Sequence, residues 1–261
     1  MLTNISTKLS LLRMNSIWKY CLITLLVCFA WEPNYAQPTH HLLLIKHLNG
    51  NFYIFTTYGN INGMPYPSNG MYAVTNEGVV LLDTPWDTTQ LQPLLDSIQA
   101  RHHQNVVLCI ATHFHSDRTV GLPYYATKGI ATYSSTATQN LCKEKNEGIA
   151  QYVFTKDTVF SVGNVQFQTF YPGEGHSSDN IVVWFPKDKI LYGGCFIKSK
   201  ETNDIGNLSD ANVPAWRVAI QQTIQKFAQA AYVIPGHLDG YGVNNLAHTA
   251  KLVDDYLKKN Q

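Results

Sequence analysis

The 261-residue chain predicts an α/β fold in which two packed sheets are covered by helices on their outer faces. Three observations carry this reading. Short strands joined by tight-turn signals give way to strands alternating with amphipathic helices, and the same order then repeats in the second half. No linker is long enough to separate two domains, so residues 37–261 read as one. The composition, 45% hydrophobic and 14% charged, suits a globular domain and argues against a disordered chain.

The elements follow in chain order. Residues 1–36 read as a cleavable secretory leader, with Lys8, Arg13 and Lys19 preceding the apolar run 21–30 and small residues at Ala30 and Ala36. A start at Met14 would make the leader more compact. The run of ten apolar residues is roughly half of what a bilayer-spanning helix needs, so a retained anchor is not expected. Lipidation at Cys28 is disfavoured by Val27, where a small residue would be required. Export places the protein in the periplasm, with no membrane partner beyond that step. Without residues 1–36 the formal charge falls from +1 to −1, which leaves no basic surface for nucleic acid.

Residues 41–47 and 52–57 predict a hairpin around Asn49-Gly50, and 71–75 with 79–83 predict a second around 76–78. Between them, 58–69 is rich in Gly, Asn and Pro and reads as a loop. Leu91, Leu94, Leu95 and Ile98 give 88–103 helical spacing, and this helix feeds the apolar strand 106–111. Short helices are expected over 121–127 and 136–145. Strands then follow at 158–162, 165–171, 180–185 and 189–192. Helix 214–230, strand 232–234 and the amphipathic helix 244–259 close the chain.

The most informative cluster is His113-Phe114-His115-Ser116-Asp117, directly after the strand 106–111. Alternate residues of an extended segment point the same way, so two imidazoles can face one pocket with a carboxylate beside them. Two further histidines stand where a strand stops and a Gly-lined loop begins, His176 after Gly173-Glu174-Gly175 and His237 after Pro235-Gly236. Of the three cysteines beyond the leader, Cys109 lies inside a strand and Cys142 on a helix. Cys195 follows Gly193-Gly194 at a strand end, where a thiolate could reach a metal. A lone histidine would read as a hydrogen-bonded loop residue. Here His113, His115 and His176 make a three-imidazole set, while Asp117, Cys195 and His237 make an oxygen, sulfur and nitrogen set, and each suits zinc with an open fourth position. His40, His41, His47, His102, His103 and His248 lack such surroundings and receive no role.

With these residues in place, the chain resembles a class B metallo-beta-lactamase of subclass B1. The resemblance spans residues 37–261 and rests also on Asn69-Gly70-Met71-Tyr72, Asp83-Thr84-Pro85-Trp86-Asp87, Gly175-His176-Ser177-Ser178-Asp179-Asn180, Gly193-Gly194-Cys195-Phe196-Ile197-Lys198-Ser199, Gly206-Asn207-Leu208 and Pro235-Gly236-His237. It implies an αβ/βα four-layer sandwich of two facing mixed sheets with the site at one edge. It also implies a monomer with two zinc ions, the first held by His113, His115 and His176 and the second by Asp117, Cys195 and His237. The implied activity is hydrolysis of the beta-lactam amide of penicillins, cephalosporins and carbapenems by a metal-bound hydroxide, conferring antibiotic resistance. Asp117 would orient the nucleophile, Lys198 would bind the substrate carboxylate, and Asn207 would help to hold the oxyanion. The loop 58–69 matches the family's mobile flap, with Ile61, Met64 and Tyr66 over the substrate and Trp86 as a pocket wall.

Three positions depart from the commonest pattern of the family. Arg118 follows Asp117, where a cation is expected to depress the pKa of Asp117 or Cys195. Glu174 adds a carboxylate near His176, and Leu238 replaces a glycine often found after the last histidine. The alternatives are a thioester or phosphodiester hydrolase of the same superfamily, or an exported zinc-binding scaffold without turnover. Relatives of the first kind carry His where Arg118 stands and a carboxylate where Cys195 stands. The second sits poorly with six intact ligands.

Overall fold

Two mixed sheets face each other across an apolar interior in the computed structural model, which describes residues 43–155 and 157–260. The expected leader lies outside the described residues, and those described belong to one compact unit. The first sheet runs in the order β1 (Leu44–Asn49), β2 (Phe52–Ile61), β3 (Met64–Thr75), β4 (Gly78–Leu82), β5 (Val106–Ile110), β6 (Ala131–Ser135) and β7 (Tyr152–Phe154). It is antiparallel as far as β4 and parallel beyond it. The second sheet runs β12 (Tyr232–Pro235), β11 (Ile190–Gly194), β10 (Val182–Phe185), β9 (Val165–Phe170) and β8 (Val159–Val162), with only the β11–β12 pair parallel.

Alternation of side chains along the strands builds the layers. Phe52, Ile54, Met71, Val80, Leu82 and Ile110 of the first sheet meet Phe167, Val183, Phe185, Tyr192 and Ile234 of the second in the central core. The opposite face of the first sheet, with Phe55, Leu81 and Cys109, is covered by α1 (Leu91–His102) and α3 (Leu122–Thr127). Trp184, Leu191 and Val233 of the second sheet are covered by α5 (Val213–Lys226) and α6 (Asn244–Lys259). This is the expected αβ/βα sandwich.

Element boundaries move by a few residues at most of the expected strands and helices. Three differences are larger. Residues 58–69 are not a loop: β2 and β3 continue as a ladder from Phe52 to Ile61, and only Asn62-Gly63, both at positive φ, make the turn. Asp117 does not lie on extended chain either, because His115 begins a one-turn helix, α2 (Ser116–Thr119). The edge strand β7, three residues long, was not anticipated. The remaining helix, α4 (Thr136–Lys145), falls on its expected bounds, with the Ser135 hydroxyl accepting from the Thr138 N–H. No helix among the described residues is long and apolar enough to cross a membrane.

Candidate metal centre

Four segments converge at one edge of the sandwich, each leaving the carboxyl end of a strand. The turn after β5 brings His113, His115 and Asp117, the loop after β9 brings His176, the end of β11 brings Cys195, and the end of β12 brings His237. Gly194 adopts φ 53°, a conformation that costs glycine little, and this turns the chain so that Cys195 faces the same space. β3 fixes the last segment, since the Asn69 side-chain amide donates to the carbonyls of Pro235 (3.2 Å) and Leu238 (2.6 Å) and its backbone N–H donates to Gly236. Leu238 holds φ 62°, a left-handed position that explains why glycine suits this site better.

The six donor atoms lie together in overlapping groups of three, one of which is Asp117, Cys195 and His237. His115 Nδ1 lies 3.1 Å from both His113 Nε2 and His176 Nε2. In the second set, His237 Nε2 stands 3.1 Å from Cys195 Sγ and 3.3 Å from Asp117 Oδ2, and the Cys195 thiol stands 3.6 Å from that oxygen. Burial holds the imidazoles of His113 and His176 well below the usual histidine range and brings His237 to about 4, so all three are neutral ligands near pH 7.

The residues fit a pair of metal ions. Three imidazole nitrogens pointed at one another cannot all be satisfied by hydrogen bonds, whereas a cation takes a lone pair from each. His176 Nδ1 is buried without a partner, but the opposite edge of the ring faces the other imidazoles. The supporting contacts set the tautomers. His115 Nε2 meets Asp210 Oδ2 at 3.1 Å, which leaves Nδ1 free as a ligand, and His237 Nδ1 meets the Pro67 carbonyl at 2.7 Å, which leaves Nε2 free. The mix of N, S and O donors in two groups of three is that of zinc.

Arg118 lies beneath the second set with no solvent exposure. Its Nη2 donates to Asp117 Oδ2 (2.8 Å), Cys195 Sγ (3.0 Å) and the Gly236 carbonyl (2.9 Å), and its Nη1 donates to the Asn69 carbonyl (2.6 Å) and Asp83 Oδ2 (3.3 Å). Burial raises the Asp117 carboxyl, but Arg118 and the nearby histidines outweigh it and hold the group well below its ordinary value. Cys195 differs from expectation: burial dominates and pushes its thiol up to about 12, although Arg118 pulls the other way. Asp83 is a structural acceptor, receiving the Thr112 backbone N–H (2.7 Å), the Thr112 hydroxyl (2.9 Å) and the Tyr192 hydroxyl (2.7 Å).

Above the donors opens a cleft of about 850 Å³, walled by Ile61, Met64, Tyr66 and Trp86 on the hairpin side and by Lys198, Gly206, Asn207 and Asp210 opposite. Tyr66 packs on His237 with ring centres 5.1 Å apart, and Trp86 meets it edge-on at 6.3 Å. Lys198 is buried with its ammonium 5.4 Å from the centre of the Trp216 ring, so it is not the solvated lysine that its type would suggest. Asn207 lines the cleft, and its Oδ1 accepts the Ser209 N–H at 3.0 Å. Glu174, by contrast, accepts from Asn212 (2.7 Å) and does not line the cleft. The sequence reading missed Asp210 and Glu147, both of which do line it. Neither sits in a spacing that marks a ligand.

Fold and site together define a metal-binding αβ/βα sandwich with its centre at the edge of two facing sheets. The model of the "Metallo-beta-lactamase superfamily" matches residues 63–237, and the chain belongs to that family. It is 41% identical over 215 residues to "Metallo-beta-lactamase type 2" of Elizabethkingia meningoseptica, covering 82% of this chain and 86% of that one. It is 38% identical over 229 residues to "Metallo-beta-lactamase IND-1" of Chryseobacterium indologenes, covering 88% and 96%. Among solved structures it resembles a metallo-beta-lactamase from Pontibacter korlensis at 34% identity and a TM-score of 0.79, covering 82% of this chain and all of that one.

Proposed function

We propose that the protein is a zinc-dependent beta-lactamase of subclass B1 that hydrolyses the beta-lactam amide of penicillins, cephalosporins and carbapenems. The observation that carries this is the pair of three-donor sets, His113, His115, His176 and Asp117, Cys195, His237, at the floor of one cleft that also holds Lys198 and Asn207. Identities of 35–41% to proteins named metallo-beta-lactamases, over most of each chain, support it.

These six residues would hold two zinc ions. When bound, zinc acts as a Lewis acid on a carbonyl oxygen and makes water a competent nucleophile at neutral pH. Lys198 pairs with the ring carboxylate and so places the lactam over the donors. Asp117 orients the attacking water, and the Asn207 amide donates to the carbonyl oxygen as it gains charge. Water adds across the carbon–nitrogen bond, its oxygen to the carbonyl carbon and one proton to the departing ring nitrogen. Ile61, Met64 and Tyr66 of the β2–β3 hairpin cover the apolar part of the substrate. Export rests on the basic-then-apolar pattern of residues 1–36, and cell fractionation with N-terminal sequencing of the exported form tests it.

Carbapenem hydrolysis, followed spectrophotometrically with zinc and then with EDTA on a sample analysed for metal, tests the activity. Zinc-dependent turnover with about two metals per chain is the expected result. Bound metal without turnover of any beta-lactam would overturn the reading in favour of a thioester or phosphodiester hydrolase, or of a binding scaffold.

A further inference from the structure

Among the described residues, one carboxylate of the cleft makes neither a hydrogen bond nor an ion pair. Four carboxylates line it: Asp117, Glu147, Asp204 and Asp210. Asp117 is taken by Arg118 and the second donor set, Asp204 accepts the Gly206 N–H at 2.8 Å, and Asp210 accepts from His115 and Ser209 at 3.1 Å each. The Glu147 carboxylate has neither a hydrogen bond nor an ion pair among the described residues. Lys145, two residues before it, is paired with Glu144 at 3.2 Å.

The backbone fixes where this carboxylate starts. α4 ends at Lys145, Asn146 turns the chain at φ 58°, and the Glu147 N–H returns to the Cys142 carbonyl at 2.8 Å. Gly148 then packs so tightly on α2 that a Cβ there would stand 2.0 Å from the Thr119 carbonyl oxygen. Glu147 is thus pinned beside the turn that carries Asp117. Lys198 arrives from elsewhere, its N–H held at 2.8 Å by the Thr249 hydroxyl of α6 and its ammonium over Trp216 of α5. The donor groups stand between the two. Lys198 interacts electrostatically with Cys195 and Asp117, and Glu147 with His115 and Asp117.

Glu147 thus adds a carboxylate to the cleft from the α2–α4 side, whereas the Lys198 ammonium enters it from the α5–α6 side with Asp204 nearby. We infer that Glu147 selects beta-lactams carrying a cationic group on the acyl side chain, remote from the ring carboxylate. This rests on the beta-lactamase reading, with Lys198 holding the carboxylate. A partly exposed ion pair contributes up to about 1 kcal/mol, or roughly fivefold in affinity, and salt weakens it.

The test uses two penicillins identical except for an α-ammonium group on the acyl side chain of one. KM is measured for both with zinc-loaded wild type, Glu147→Gln and Glu147→Lys, at low salt and at about 1 M salt. Wild type is expected to favour the ammonium-bearing penicillin by roughly two- to fivefold in KM at low salt. Glu147→Gln should remove that preference, Glu147→Lys should reverse it, and high salt should erase it in wild type. An equal KM ratio in all three proteins overturns the inference, as does a ratio that changes with substitution but not with salt, which would mark an effect of shape. Failure of wild type to hydrolyse either penicillin defeats the beta-lactamase reading itself, and the inference with it.

Discussion

Asp83 shows how much of the centre depends on residues that touch no metal. Burial raises its carboxyl to about 6, although Arg118, Tyr192 and Thr112 all favour the ionised form. Between about pH 4, its ordinary value, and about pH 6 the folded protein keeps a proton that the unfolded chain has lost. The Asp83 contribution to stability then falls as pH rises through that window and levels off above it, opposite in sign to that of the neutral His113, His176 and His237, which favour the folded state more as pH rises. Urea unfolding across pH 4 to 8 should show the stability of wild type falling relative to that of Asp83→Asn through this window, and parallel curves would contradict it. The cysteines give a second prediction at this scale. Cys195→Ser should lose metal from the second set and most activity, while Cys142→Ser, whose thiol donates to the Phe114 carbonyl at 3.9 Å and touches no donor of either set, should keep two metals per chain. Equal metal contents would sink the assignment. All six donors were legible because each follows a strand end marked by glycine or by the His-Phe-His-Ser-Asp run. Asp210 and Glu147 were not, since loop geometry alone brings them to the cleft.

At the scale of elements, the β2–β3 hairpin is where sequence and structure part most. Gly, Asn and Pro between Tyr58 and Asn69 read as a loop because they lack strand propensity, yet the ladder continues as far as Ile61 and Met64. Its tip packs against no core, with Met64 70% exposed, so no alternation of buried apolar residues was there to be read. The glycines have specific work. A Cβ at Gly59 would stand 2.3 Å from the Trp86 ring, so the strand lies directly on the indole that walls the cleft. Gly59→Ala should therefore displace Trp86 or lift the hairpin, at a cost of about 1–3 kcal/mol in stability. A raised KM with a shift in tryptophan emission is the expected outcome, and an unchanged spectrum with an unchanged midpoint of unfolding would rule it out. Helices α4 and α6 were read to the residue because caps and apolar spacing are local, whereas the turn α2 is imposed by the site around Asp117.

For the molecule as a whole, the centre joins parts of the chain that are far apart in sequence. The second set takes Asp117 from a turn of the first sheet and Cys195 and His237 from two strand ends of the second, and the first set likewise spans both sheets through His113 and His176. Such a juxtaposition exists only in the folded state, so metal binding stabilises that state by mass action. Without metal, the same edge buries the imidazoles of His113 and His176, the Cys195 thiol and the cation of Arg118 within one small volume, which opposes folding there. At a thousandfold excess of free zinc over its dissociation constant the gain is about 4 kcal/mol for each site, or roughly 8–16 °C in Tm for a chain of this size. Thermal unfolding with EDTA and with graded zinc should show a rise of that order. In Cys195→Ser the first site remains, so about half of the rise should persist. A Tm indifferent to zinc would mean that the two donor sets do not bind metal as the fold arranges them, and a full rise in Cys195→Ser would mean that the second set contributes nothing to it.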